Sequence, residues 1–135
     1  MPFTATSVNR TGSLRAEIDV NGRHAIVTDE PADLGGEDTA PAPHELLPAM
    51  LASCISTMVT LYARRKGWEI GEVRVDVTYD YESTPRRLEA DVTLPDGLTD
   101  EQVTRLERVA RTCPVGRAFE AGFVLEERVR TAQAA

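Results

Sequence analysis

The chain carries two cysteines, Cys54 and Cys113, and both stand where thiol chemistry is possible. Cys54 falls inside the apolar run Glu45-Leu-Leu-Pro-Ala-Met-Leu-Ala-Ser-Cys-Ile55, and Cys113 inside Arg111-Thr-Cys-Pro-Val115. Two neighbouring thiols can divide a redox cycle, one attacking an electrophile as thiolate and the other closing a disulfide. Cys113 directly precedes Pro114, which disfavours helical dihedrals at the cysteine and suits the first position of a new helix. The thiol would then occupy an N-cap, where free amide N–H groups and the positive helix end favour a thiolate. Cys54, among Met50, Leu51 and Met58, gains no such help from its own helix. Apolar surroundings raise a thiol's pKa and leave it inert unless a cation approaches. Read from the residues alone, a catalytic pair and two unreactive core cysteines both stand, since cysteine is among the most buried residue types.

Other chemistries find less support. His24, His44, Cys54 and Cys113 could supply four metal ligands, but no pair has the short spacing of zinc sites, so neither metal nor cofactor is expected. No glycine-rich phosphate loop is present. Fifteen Lys and Arg against 22 Asp and Glu give a net charge of −7, which argues against nucleic acid as a partner. The basic runs Arg64-Arg-Lys66 and Pro85-Arg-Arg87 are short and read as solvated surface, the first at a helix C-terminus that favours cations. Tyr62, Trp68 and Phe119 read as core or interface aromatics. No stretch approaches the roughly 20 apolar residues of a membrane span, and the first residues lack a basic leader and an apolar core. The cytoplasm is the expected compartment, where paired cysteines more often do redox or metal chemistry than form a permanent disulfide.

The elements that must position the thiols follow from periodicity. A chain of 135 residues is the size of one domain, here 1–135. Leu14, Ala16, Ile18 and Val20 alternate with Arg15, Glu17 and Asp19, the period of a half-buried strand, and Asn21-Gly22 supplies a tight hairpin turn into a strand carrying His24, Ile26 and Thr28. Residues 30–43, with three prolines and Gly35-Gly36, form a loop. A long helix over 45–66 follows, closed by Gly67 and apolar over so much of its circumference that it must be buried on several sides. One small subunit can hardly cover it, so a dimer is expected. Val73, Val75, Val77 and Tyr79, then Leu88, Ala90, Val92 and Leu94, make a second hairpin. Thr99 and Gln102 form a capping box for a helix ending near Thr112. A short helix from Pro114 stops at Gly122, and residues 123–129 read as a last strand. Strands arriving in hairpin pairs make the class α+β, with β-hairpins flanking a long buried central helix.

The pattern Asp29-Glu-Pro31, Leu34-Gly-Gly36, Glu45-Leu-Leu47, Cys54, Tyr62-Ala-Arg-Arg-Lys-Gly67, Cys113-Pro-Val115 and Arg117 resembles the OsmC/Ohr family over nearly the whole chain, most closely its divergent OsmC-like branch. The resemblance implies the OsmC-like fold, an intertwined homodimer with central helices packed between two sheets and active sites at the subunit interface. It implies a thiol peroxidase that reduces organic hydroperoxides, and hydrogen peroxide less well. Cys54 matches the attacking cysteine and Cys113 the resolving one, so the cycle passes through a Cys54 sulfenic acid and a Cys54–Cys113 disulfide. An external dithiol, in the family often a protein-bound lipoyl group, reopens it.

The organic-hydroperoxide branch activates its cysteine with an arginine from the N-terminal strands, held by a glutamate ten residues before the cysteine. Here that position is His44, and the nearest acid is Glu45, nine before. In a continuous helix nine residues span about 13.5 Å and end on the opposite face. Glu45 therefore either joins the site because the helix begins later or serves a partner subunit, or it is a first-turn acid favoured by the helix dipole. Arg10, at the turn between the first two strands, is the expected arginine, with Arg15 on the solvent face and Arg117 and His44 as other charges near a thiol. A non-catalytic or small-ligand-binding protein of this fold, or an enzyme of other thiol–disulfide chemistry, is the alternative. The second cysteine favours the peroxidase, because a binding protein has no need of a resolving thiol.

Overall fold

The computed structural model describes residues 1–132. The chain divides into two compact units interleaved in sequence: Met1–Ser53 with Asp76–Asp91, and Cys54–Val75 with Val92–Ala135.

The first unit is built on an antiparallel sheet of β1 (Ala5–Asn9), β2 (Ala16–Val20) and β3 (His24–Thr28) in that order. The expected hairpin register holds, with Ile18 opposite Ile26 and Ala16 opposite Thr28. Its turn depends on Asn21 and Gly22 at φ 55° and 69°, the left-handed pair that matches strand twist. The Asn21 Oδ1 accepts the Thr4 N–H at 2.8 Å, tying β1 to the turn. The loop after β3 holds one 3-10 turn, Ala32–Leu34, and a second, Pro43–Glu45, leads into α1 (Leu46–Arg65). Gly36 is required here: a Cβ at that position would run into the Glu30 carbonyl.

Strands β4 (Arg74–Asp80) and β5 (Arg87–Thr93) pair as the second hairpin. Val75, Val77 and Tyr79 are half-buried while their neighbours are exposed, the alternation the sequence predicts. Asp80 turns the chain, its Oδ1 accepting the Glu82 and Ser83 amides at 3.1 and 3.2 Å. Helices α2 (Asp100–Arg111) and α3 (Pro114–Ala121) complete the second unit. The capping box is formed: Thr99 Oγ1 accepts from the Gln102 amide at 3.1 Å, and Gln102 Oε1 accepts from the Thr99 amide at 2.9 Å.

Two expectations are corrected. Residues 123–129 join neither sheet among the described residues. Val124 and Leu125 stand 88% and 81% exposed as a result. Within one chain, helix α1 is buried along one stripe, Leu51, Ile55, Val59 and Ala63, the four-residue spacing of a single face. One chain supplies cover for only that face. The run Pro43–Arg65 also proves long and apolar enough to cross a membrane, at a mean hydropathy of 1.6 over its most apolar window, of which 22% is buried.

Candidate functional site

Both cysteines belong to the second unit, whose most buried residues are Ile55, Val59, Ala63, Leu106 and Cys113. Cys54 lies one residue before Ile55 in the buried stripe of α1, so its side chain sits at the stripe's margin and is half-buried. Cys113 is carried from the other side. Helix α2 ends at Thr112, Pro114 opens α3, and Cys113 between them takes extended dihedrals, φ −65° and ψ 147°. That backbone turns the thiol inward, to 2% exposure.

The N-cap expected from Pro114 is realised: Cys113 Sγ accepts the Gly116 amide N–H at 3.3 Å. Its predicted consequence is not. Burial pushes the Cys113 thiol up from the ordinary cysteine pKa. The Gly116 and Val115 amides pull it down, while the neighbouring Cys54 pushes it up again. Desolvation outweighs the cap, so Cys113 rests as a thiol. That influence places Cys54 beside Cys113 within the second unit. Both are free cysteines.

Glu45, Arg10 and His44 are held in contacts of the first unit. Glu45 closes the 3-10 turn, its Oε1 accepting the Ala42 amide at 2.9 Å, and so acts as a capping acid. Arg10 lies at the turn after β1 as expected and faces Glu17 at 3.7 Å, with side chains 78% and 60% exposed. His44 packs on Tyr79 and Tyr81, with ring centroids 5.3 and 5.2 Å away. Arg117 is exposed on α3, its amide bonded to the Cys113 carbonyl at 3.0 Å. His24 is exposed on β3. Among the described residues no group of three His, Cys, Asp or Glu could hold a metal ion.

Sequence reasoning missed a buried carboxylate. Asp29 is 2% exposed and accepts the Thr39 hydroxyl at 2.6 Å, the Thr39 amide at 3.1 Å and the Glu30 amide at 2.8 Å. The Thr39 hydroxyl, then its amide and that of Glu30, hold the Asp29 pKa down at about 2. Arg15, read as a plain solvent residue, donates to Thr39 Oγ1 at 2.6 Å. Besides its place in the Asp29-Glu-Pro31 pattern, the sequence signal was an acid just after β3, ten residues before a threonine across a loop.

An α+β chain of paired strands and one long helix, with a half-buried helical thiol meeting a buried N-cap thiol, defines a class of paired-cysteine proteins. The sequence pattern of the OsmC-like protein family matches residues 35–128, and the chain belongs to that family. It is 29% identical to a candidate osmotic stress induced and detoxification response protein of Psychrobacter arcticus, covering 84% of this chain and 85% of that one at a TM-score of 0.68. An organic hydroperoxide resistance protein OsmC of Legionella pneumophila shares the fold at 20% identity and a TM-score of 0.55, covering 87% and 88%. An organic hydroperoxide resistance protein of Bacillus subtilis does so at 22% and 0.51, covering 87% and 89%. Among curated proteins none matches the chain. The family membership and these structures establish the OsmC-like fold.

Proposed function

We propose that the protein is a Cys-based peroxidase that reduces organic hydroperoxides, and hydrogen peroxide less well. The observation that carries this reading is the meeting of two free thiols of unequal exposure. Fold relatives described as organic hydroperoxide resistance proteins support the substrate class. Cys54, half-buried, is the thiol a substrate can reach. Its thiolate attacks the distal peroxide oxygen, the O–O bond breaks, the alcohol leaves with a proton, and a sulfenic acid remains. Cys113 attacks the sulfenic sulfur, the S–S bond forms and water leaves. The Gly116 amide favours the thiolate that this second step needs. An external dithiol returns two electrons.

Arg10 and Glu45 belong to the proposal as residues that set the charge about Cys54. The exposed Arg10–Glu17 pair contributes at most about 1 kcal/mol, so it does not commit the guanidinium to one position. The protein is proposed to act as a cytoplasmic homodimer. Partial cover of α1 and the exposed apolar side chains of Val124 and Leu125 support the second copy. Light scattering at micromolar concentration is expected to give twice 14.8 kDa, and a monomer would refute it. Turnover of cumene hydroperoxide with dithiothreitol tests the activity: Cys54→Ser should abolish it, and retained turnover in that variant would overturn the proposal.

A further inference from the structure

The net charge of −7 is not spread evenly. The first unit holds five arginines against 13 acids, or −8, while the second holds ten Lys and Arg against nine acids, or +1. The second unit is the one with the thiols, and its cations concentrate on the helices around them. Tyr62 of α1 and the α2 face of Thr104, Arg105 and Arg108 line a groove of about 670 Å³. The Lys66 Nζ lies 5.6 Å from the Tyr62 ring centroid, and Arg105 lines the groove with Tyr62. Asp100 and Glu101 line the groove at the start of α2, and Arg105 takes up Glu101 at 3.0 Å. Among the described residues Lys66, Arg108 and Arg111 have no carboxylate partner. Tyr62 is eight residues beyond Cys54, about 12 Å along the helix, and Arg108 and Arg111 fill the last turn of α2 just before Cys113.

We propose that this cationic face docks an acidic protein surface that carries the reducing dithiol. The inference rests on the peroxidase reading, which calls for such a reductant. Cations spread over the end of α1 and the last two turns of α2 exceed what one small thiol could cover, which favours a macromolecular occupant. Separations near 12 Å are comparable with the Debye length of about 10 Å at 0.1 M salt, so the charges steer an anionic partner toward the disulfide. The exposed reductant thiolate attacks Cys54 Sγ, because Cys113 is buried. The Cys54–Cys113 bond breaks, and Cys113 leaves as a thiolate beneath the Gly116 amide and takes up a proton. The second thiol of the reductant then displaces Cys54, so the reductant departs as a disulfide and both chain thiols are restored.

The test uses a Cys54–Cys113 disulfide made with diamide, so it does not depend on peroxide turnover. Polyglutamate, an acidic polypeptide without thiols, should slow reduction of that disulfide by 2-mercaptoethanol about tenfold at low ionic strength. The slowing should vanish near about 0.5 M NaCl and in Lys66→Glu/Arg108→Glu, and persist in Lys66→Arg/Arg108→Lys. No slowing by polyglutamate overturns the docking surface. Preference for 2-mercaptoethanesulfonate without a polyglutamate effect also overturns it, because the cations would then select only small anions. A diamide disulfide that peroxide cannot form would sink the peroxidase reading alone, and a chain that forms no disulfide with diamide sinks both.

Discussion

Cys54 and Cys113 are neighbours, Cys54 raising the pKa of Cys113, although 59 positions separate them, and they stand as unequal partners. Cys54 is half-buried on a helix, and Cys113 is sealed at 2% exposure. An attacking thiol must be reached by substrate, whereas a resolving thiol needs only to reach the first. The asymmetry fits that division of labour.

Burial holds the Cys113 proton, so alkylation should distinguish the two thiols. With iodoacetamide near pH 8, Cys54 is expected to react first and Cys113 more slowly, because burial raises the Cys113 pKa and keeps the reagent out. Unfolding in guanidinium should erase the difference. Peptide mapping of the alkylated chain reads it directly, and equal rates in the folded protein would contradict the burial of Cys113.

Asp29 should mark the acid limb of stability. Its pKa is lowered from 3.8 to about 2 by hydrogen bonds from Thr39 and Glu30. A depressed carboxylate contributes stability that is full above the unfolded value and is lost as pH falls through the folded one. Asp29→Asn is therefore expected to lower Tm at pH 7, with the gap from the parent protein closing between pH 4 and pH 2. A gap that stays constant over that range would exclude the carboxylate as its cause.

The loop that Asp29 anchors also depends on Gly36, where a Cβ would strike the Glu30 carbonyl. Backbone cannot give way as a flexible side chain can, so Gly36→Ala should destabilise the fold by at least about 2 kcal/mol. Urea denaturation checks it, and a change under about 0.5 kcal/mol, the scale of a neutral surface substitution, would show that the loop relaxes.

Local chemistry was legible in the sequence. Asn21-Gly22 required its turn, Thr99 and Gln102 their capping box, and Pro114 the N-cap at Cys113, because each is decided by residues within one turn of chain. Pairing between distant segments was not legible. The apolar residues at 123–129 read as a strand, yet among the described residues they pair with neither sheet. The circumference of α1 read as needing more cover than one subunit gives, and one chain encloses a single stripe of it. Asp29 escaped notice because its partner Thr39 lies across a loop, where no periodicity connects them. The site shows the same limit: the N-cap at Cys113 was foreseeable, but its burial, which reverses the expected thiolate, is a tertiary property that no local pattern carries.

The central claim is that Cys54 and Cys113 form one redox pair driven by peroxide. The most direct measurement is a titration of free thiols, with peptide mass mapping, after one equivalent of cumene hydroperoxide. The account predicts that both thiols disappear together and that a Cys54–Cys113 disulfide is recovered within one chain, while Cys113→Ser halts at a Cys54 sulfenic acid. Two thiols per chain surviving the treatment unchanged would contradict it.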